Sequence, residues 1–312
     1  MIFFTLSGVF NSKVMIPLRT YFVAGKVESG EFDYIGFHVT QSSVDVVIDQ
    51  EKFMHNKLNK VDISLDRSRQ SKENLTRTEA TSFRSLAGQL NWLAGGTRPD
   101  VSFDVVEAST KFNNACVSDL VRLNKVMHNA RSVKSIIRFP KLGAIETWKM
   151  YVYTDAAQPN ICYGVGSTSG YVLFLVSGLM CCTIDWSSAK LKRVVNSSLA
   201  AETLGMQLGI DSAIFNQQIL SQMLDVKIPI VAITDSKSLV DSVYSTSQVE
   251  NKRLRCDVGM LKEDLAKNNI ENLIWVPGEQ QLADCLTKRG ASGTGLLNVV
   301  QTGTFTMNFN RR

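Results

Sequence analysis

Residues 150–155, with the sequence MYVYTD, decide how the chain divides. Residues 150–154 alternate in character and are mostly β-branched or aromatic, which is typical of a strand, and Asp155 follows directly. Upstream, the proline and glycine of FPKLG at residues 139–143 end a helical pattern. Because 312 residues give room for more than one ordinary domain, we place a domain boundary near residue 145.

The pattern after this boundary predicts one mixed sheet. Strand-like runs near residues 164–167 and 170–176 complete an antiparallel meander with the first strand, and the meander ends near Trp186. A helix, a strand, a helix, a strand and a last helix are predicted next, at residues 198–224, 229–234, 236–244, 272–276 and 281–288. This order is that of an α/β sheet flanked by helices.

The pattern before the boundary predicts a smaller, mainly helical α+β region. Residues 31–49 predict two strands joined by a polar turn. Apolar residues at three- and four-residue steps predict a helix from Thr78 to a pair of glycines at 95 and 96. A second amphipathic helix is predicted from Leu120 to Arg138, and its polar side is strongly basic.

The positive charge of the chain lies in its first half. Lys and Arg outnumber Asp and Glu by 20 to 15 in residues 1–149, whereas the count is 14 to 14 in residues 150–312. The basic helix is therefore a candidate for contact with a phosphate backbone. Its candidate binding residues are Arg122, Lys125, Arg131 and Lys134. An ordinary solvated helix face is the alternative, and both interpretations stay open.

Cysteine and histidine usage argues against a zinc site. The six cysteines contain no C-x-x-C pair, and the three histidines all precede Met150. No stretch is long and apolar enough to predict a membrane span. The apolar start has neither a preceding basic residue nor a following Ala-x-Ala site, so we expect no secretion.

Four carboxylates stand out in the second half. Two are expected to end strands and two to lie in helices; they are Asp155, Asp235, Glu202 and Asp284. Strand ends of an α/β sheet meet at one edge, where ligands bind. The helix around Glu202 is apolar, which leaves its carboxylate little reason to be there unless a cation compensates.

Converging acids of this kind support phosphodiester hydrolysis. Magnesium binds carboxylate oxygens, and two such ions about 3.5–4 Å apart activate a water and stabilise the leaving oxygen. The alternative is that each acid is a helix cap, a turn residue or half of an ion pair. Residue types alone leave both explanations open.

Short segments in both halves match a known family. Those in the second half are VYTD 152–155, GYVL 170–173, SSLAAE 197–202, TDSKSL 234–239 and QLADCLTK 281–288. They resemble the ribonuclease H region of copia-type retrotransposon Pol polyproteins. The earlier segments FDYIG 32–36, GQLNWLA 88–94 and TRPDVSF 97–103 resemble the thumb and connection of the same family's reverse transcriptase.

The resemblance implies a domain plan and a cofactor. Residues 146–290 would be a ribonuclease H-like domain, and residues 21–145 the end of a palm with thumb and connection. Residues 1–20 stay unassigned, and 291–312 are expected to be a tail. The four acids match the family's metal ligands, which implies two Mg²⁺ ions, with Mn²⁺ as a substitute. An RNA–DNA hybrid is the implied partner, together with the rest of a reverse transcriptase; the oligomeric state is not predicted.

Three departures from the family's pattern bear on function. Family members carry a histidine in the segment that matches residues 252–257, and this chain has none there. VPGE at 276–279 ends in glutamate, near the place where cellular ribonucleases H use a histidine on a mobile loop. The polymerase signature Tyr-x-Asp-Asp is also absent from the chain, so we expect no polymerase activity.

The expected function is metal-dependent hydrolysis of the RNA strand of an RNA–DNA hybrid. The chain would act as a ribonuclease H-type endonuclease from a truncated retrotransposon polyprotein, in the cytoplasm or a virus-like particle. The alternative is a non-catalytic nucleic-acid-binding remnant of a reverse transcriptase. A slice of a longer polyprotein, or of a decayed locus, is the third hypothesis.

Overall fold

The computed structural model describes residues 12, 16–21, 28–161, 166–247 and 249–306. The strands of this part are β1 (Glu31–Tyr34), β2 (Phe37–Gln41), β3 (Asp45–Asp49), β4 (Ile136–Pro140), β5 (Lys149–Ile161), β6 (Gly166–Ser177), β7 (Met180–Lys190), β8 (Ile230–Thr234) and β9 (Asn272–Trp275). The helices are α1 (Ile16–Tyr21), α2 (Glu51–Asn56), α3 (Leu65–Arg69), α4 (Arg77–Gly96), α5 (Ser102–Ser109), α6 (Val117–Arg131), α7 (Ser198–Leu224), α8 (Lys237–Tyr244), α9 (Lys252–Ala266) and α10 (Thr294–Thr302). Most of the unassigned start and residues 307–312 of the expected tail lie outside the described residues.

The first sheet is antiparallel and runs in the order β1-β2-β3-β4. The sequence predicted two strands before residue 50, whereas the structure has three. The extra break is a two-residue turn at Ile35 and Gly36, whose φ angles of 47° and 82° favour a tight hairpin. β4 arrives from much later in the chain and pairs Phe139 with Val46.

Helices α2, α4, α5 and α6 share one apolar core in the first half. α4 begins at a capping box, in which the Thr76 side chain accepts from the Glu79 N–H at 3.3 Å and the Glu79 carboxylate accepts from the Thr76 N–H at 2.8 Å. Leu86, Leu90 and Leu93 form its buried face at the expected spacing. The helix predicted over this stretch is confirmed.

The basic helix is shorter than the sequence predicted. α6 ends at Arg131, and not at Arg138. Residues 136–140 form β4 instead, because their backbone pairs with β3 along its whole length. Lys134 therefore lies in the connection after the helix.

The second sheet runs in the order β7-β6-β5-β8-β9. β5, β6 and β7 form an antiparallel meander as predicted, but the two runs expected at residues 164–167 and 170–176 belong to one strand, β6, and the third strand is β7. β8 pairs with β5 in parallel, and β9 pairs with β8 in parallel. Every side chain of β8 is buried, as expected for a strand covered on both faces. The predicted mixed α/β sheet flanked by helices is confirmed.

Helix α7 packs closely on the second sheet. Ser197 caps it by accepting from the Ala200 N–H at 3.2 Å. A Cβ on Gly209 would clash with Thr154, and one on Gly205 would lie 3.3 Å from the Ala156 Cβ. The missing side chains therefore let the helix approach β5, and the helix predicted over residues 198–224 is confirmed.

Three elements near the end of the chain differ from the sequence prediction. α9 was not predicted, although Leu254, Val258 and Leu261 give it a buried stripe. The last helix, predicted over 281–288, is a short 3-10 turn at residues 284–286. Helix α10 forms where a tail was expected, because its apolar side chains have a core to enter. The buried residues of α10 are Leu296, Val299 and Val300.

The two halves are in direct contact. The Trp186 indole N–H donates to the Ala94 carbonyl at 2.9 Å. Gln301 of α10 donates to the Lys134 carbonyl at 2.8 Å, and its own carbonyl accepts from Arg138 at 3.3 Å. Phe139 of β4 packs against the cores of both sheets. The domain boundary near residue 145 therefore stays a prediction, because side chains from the two sides of it pack against each other.

No helix among the described residues has the length and apolarity that a membrane crossing requires.

Candidate metal centre

Parallel pairing of two strands brings the first two acids together. β5 and β8 align Tyr153 with Ile233, so Asp155 and Asp235 follow at matching positions two residues later. Asp155 does not end its strand as predicted, since β5 continues to Ile161. The register, more than the strand end, is what places the two carboxylates side by side.

Glu202 completes a cluster of three acids. It lies in the opening turns of α7, which the glycines of that helix bring against β5. One carboxylate oxygen from each of Asp155, Glu202 and Asp235 lies within 4.8 Å of the other two. We call these residues the acid cluster.

Asp155 is the most enclosed member of the acid cluster. Its side chain is fully buried, it accepts a hydrogen bond from the Thr287 hydroxyl, and the Lys288 ammonium lies 3.3 Å from its other oxygen. Burial raises the pKa of Asp155, and the nearby Asp284 and Asp235 add to that, against the lowering by Lys288 and Thr287. The pKa of Asp155 is raised overall, so a further positive charge beside its carboxylate would stabilise the ionised form.

Glu202 lacks full compensation for its burial. Among the described residues its Oε2 is enclosed and has no hydrogen-bond partner. Burial raises the pKa of Glu202 to about 9, with a further contribution from Asp155 and Asp235, while Lys288 and the Ala156 N–H act in the opposite direction. A carboxylate with an enclosed oxygen in this state is stabilised by a bound cation.

Asp235 is held by two contacts with its neighbours. The Gln281 amide lies 3.4 Å from the Asp235 carboxylate and donates to the Thr154 carbonyl at 2.9 Å. The Trp275 indole N–H donates to the Asp235 backbone carbonyl at 3.0 Å. These bonds fix both the side chain and the loop that carries it.

Asp284 lies beside the acid cluster and is not one of its three mutually close members. Its carboxylate binds the Lys288 ammonium at 2.6 Å, and the same ammonium reaches Asp155. Although burial lowers the pKa of Lys288, Asp155 and Asp284 outweigh it and raise that pKa above its ordinary value. Lys288 therefore stays charged and bridges the fourth predicted acid to the first.

The donor set of the acid cluster fits a hard divalent cation. Three carboxylates without sulfur or imidazole ligands suit magnesium or manganese better than zinc. The unpartnered Oε2 of Glu202 supplies an oxygen that a cation would satisfy. A divalent cation therefore fits the residues present.

Sequence reasoning assigned no role to three residues that contact the acids, Gln281, Thr287 and Lys288. All three lie in the segment QLADCLTK, in which the resemblance implies a role for Asp284 alone. Side chains three and four residues apart meet on one side of a helical turn, so the spacing from Asp284 was an available signal.

The four basic residues predicted to bind phosphates differ in their surroundings. Arg122 is half-buried and its guanidinium is paired with Asp104 and Glu107, so it is less available to a phosphate than the basic pattern of the helix indicates. Lys125 and Lys134 are exposed. Arg131 is also exposed, and it donates to the Leu58 carbonyl at 3.1 Å.

Comparison with known proteins finds similar sequences in transposons. No family model matches the chain. The retrovirus-related Pol polyprotein from transposon RE1 of Arabidopsis thaliana is 32% identical over 125 residues, which is 40% of this chain and 8% of that protein. The corresponding polyprotein from transposon RE2 of the same plant is 32% identical over 124 residues, again 40% of this chain and 8% of the relative. The chain thus matches only a small part of these polyproteins.

Comparison with solved structures finds ribonucleases H. The N-terminal RNase H domain of Rv2228c from Mycobacterium tuberculosis is 17% identical with a TM-score of 0.32, covering 45% of this chain and 90% of that one. LC11-RNase H1, isolated from compost, is 17% identical with a TM-score of 0.34, covering 45% and 92%. Because both TM-scores are low, the fold class is assigned from the sheet order described above and not from these structures.

The predicted resemblance to retrotransposon Pol polyproteins is confirmed by the sequence matches, over 40% of the chain.

Proposed function

We propose that the chain hydrolyses the RNA strand of an RNA–DNA hybrid with the help of divalent cations. The observation that carries this proposal is the half-buried Glu202, which lies beside two further acids and whose enclosed Oε2 has no hydrogen-bond partner among the described residues. Such an arrangement costs stability without a cation and is typical of functional sites, and two bound divalent cations are a common means of cleaving phosphodiesters. The sequence match to Pol polyproteins supports the choice of substrate class.

The acid cluster would hold two Mg²⁺ ions, with Asp284 as the fourth ligand and Mn²⁺ as a substitute. When bound, such ions activate a water and stabilise both the attacking and the leaving oxygen of a phosphodiester. Selectivity for RNA would depend on its 2′-hydroxyl. A copia-type origin of the chain, implied by its motifs, belongs to the same proposal.

Neighbouring side chains keep the acids in place for this chemistry. The Thr287 hydroxyl and the Lys288 ammonium each hold one oxygen of Asp155, which leaves that carboxylate a single orientation. The Gln281 side-chain amide contacts the Asp235 carboxylate. Ligands that are fixed in this way bind a cation with less loss of side-chain freedom.

Contact with the hybrid is proposed for the exposed cations of the first half. Lys125, Arg131 and Lys134 would neutralise backbone phosphates. Arg122, the fourth candidate, has its guanidinium engaged by two carboxylates, so we leave it out of this surface.

Cleavage of a labelled RNA–DNA hybrid by the full chain tests the proposal. With Mg²⁺ the wild-type chain should cut the RNA strand, and Asp155→Asn should lower the rate by at least about 100-fold, since loss of a ligand exceeds loss of a group that only orients one. Asp241→Asn, at an exposed acid of α8, is the matched control and should keep the rate. Binding of the hybrid without cleavage by the wild type would instead support the non-catalytic remnant.

A further inference from the structure

A buried glutamate of the first half contacts the second half just after residues 284–288, the segment that lies beside the acid cluster. Glu107 of α5 is only 4% exposed. Its two oxygens pair with Arg122 and Arg289, and the Lys111 ammonium lies 3.8 Å away. Arg122 and Lys111 belong to the first half, whereas Arg289 belongs to the second.

Arg289 directly follows the residues that contact Asp155. The segment from 284 to 288 folds on itself, with the Thr287 and Lys288 N–H groups donating to the Asp284 carbonyl at 3.1 and 3.0 Å. The second sheet holds this segment from one side, where the Thr168 hydroxyl donates to the Thr287 carbonyl at 3.2 Å. Its downstream end is held by Glu107 through Arg289.

Close packing on the first half continues just beyond Arg289. A Cβ on Gly293 would lie 2.7 Å from the Asp100 Cβ, so the segments that carry Gly293 and Asp100 are in close contact. Asp100 is itself fixed by the buried Arg98, whose guanidinium donates to it at 2.7 and 2.8 Å. The first half thus provides a fixed surface on which the residues that follow segment 284–288 pack.

We propose that Glu107 is a positioning residue for the acid cluster. By holding Arg289 it fixes the segment 284–288, and with it the side chains of Thr287 and Lys288 that orient Asp155. The first half would then act on the site directly, in addition to any contact with nucleic acid. The consequence for cation binding rests on the proposed function, whereas the ordering of the segment does not.

Three substitutions separate this role from ordinary packing. Arg289→Met removes the pair at a side chain that is 60% exposed, so the fold should survive. Arg122→Met is the matched control, because it removes another partner of Glu107 and leaves the segment untouched. Arg289→Lys restores the charge and should restore the wild-type behaviour in part.

Hydrogen exchange of the full chain, read by mass spectrometry, is the first measurement. The amides of Leu286, Thr287 and Lys288 should exchange about threefold to fivefold faster in Arg289→Met, the size expected for loss of a partly exposed ion pair. They should be unchanged in Arg122→Met. Unchanged exchange in Arg289→Met, or an equal increase in both variants, would overturn the proposal.

Binding of Mn²⁺ without substrate, followed by calorimetry, is the second measurement. Arg289→Met should bind Mn²⁺ about threefold to fivefold more weakly than wild type, and Arg122→Met should bind it equally well. If the wild type binds no Mn²⁺ but the exchange result holds, the proposed function fails and the positioning role stands. If all variants bind Mn²⁺ equally and exchange is unchanged, the positioning role fails and the proposed function stands.

Discussion

Two glutamates, one in each half, have enclosed carboxylate oxygens but opposite surroundings. Glu107 lies among three cations, two of which pair with its oxygens. Glu202 lies beside two further acids, and in the described part of the chain one of its oxygens is enclosed and has no hydrogen-bond partner. The chain therefore neutralises the buried Glu107 with its own side chains and leaves the half-buried Glu202 only partly compensated.

This difference distinguishes a structural charge from a functional one. A buried ion that is fully paired can contribute to the fold, and breaking the pair is costly. A buried ion that is left among like charges destabilises the fold, and it persists where a ligand supplies the missing charge. Identical substitutions at the two glutamates should consequently change stability in opposite directions.

Glu107→Gln should give the largest change. Removing the charge leaves Arg122 and Arg289 without their shared partner, and we expect a loss of about 3 kcal/mol in the free energy of unfolding. Urea unfolding of the full chain measures it. Glu146→Gln, at an exposed glutamate, is the control and should stay within about 0.5 kcal/mol of wild type. Equal stabilities of the two variants would mean that the Glu107 pairs contribute nothing.

Glu202→Gln should stabilise the cation-free chain at alkaline pH. An acid whose pKa is higher in the folded state takes up a proton on folding, so stability falls as pH rises from the ordinary pKa of 4.5 towards the folded pKa of about 9. Glutamine has no such penalty. At pH 8 with a chelator we expect a gain on the order of 3 kcal/mol, allowing for the neighbouring acids.

The pH dependence provides the internal control for this substitution. At pH 4, below both pKa values, wild type and Glu202→Gln should unfold at nearly equal urea concentrations. Thermal unfolding between pH 4 and pH 9 should show the two curves separating as pH rises. A Glu202→Gln chain less stable than wild type at pH 8 would contradict the account of its surroundings.

The basic surface should give the smallest effect. Replacing Lys125 and Lys134 together by alanine should flatten the dependence of hybrid affinity on salt by between about one and two units of slope, since each neutralised phosphate contributes about 0.9 for a B-type duplex. Lys227 and Lys267, exposed on the second half, form the matched control pair. An unchanged slope and affinity would make α6 an ordinary solvated face.

Much of the second half could be predicted because local signals and packing agree there. The strand MYVYTD and the helix from Ser198 to Leu224 carry clear patterns, and the structure contains both. The parallel register that aligns Asp155 with Asp235 was not predictable in detail, because it depends on pairing between residues far apart in sequence. The order of elements was enough to predict that the acids lie close together, but it could not give the distances between them.

The prediction failed where tertiary pairing overrides local pattern. Residues 132–138 continue the helical stripe of α6, yet the pairing of β4 with β3 removes them from the helix. The pairing of Arg122 could not be read from the pattern of α6, because its partners, Asp104 and Glu107, lie on another helix. The role of Arg289 was invisible for the same reason, since its partner is in the other half.

The most direct test of the central claim is the stability of the chain against divalent cation concentration. A cation that binds only the folded chain should stabilise the wild type by about 2.7 kcal/mol at a concentration 100-fold above its Kd. Urea unfolding at pH 7.5 with rising Mg²⁺ or Mn²⁺ measures this. The account predicts that wild type is stabilised and that Glu202→Gln and Asp155→Asn are stabilised far less. A wild-type chain indifferent to both cations, or variants stabilised as strongly as wild type, would contradict it.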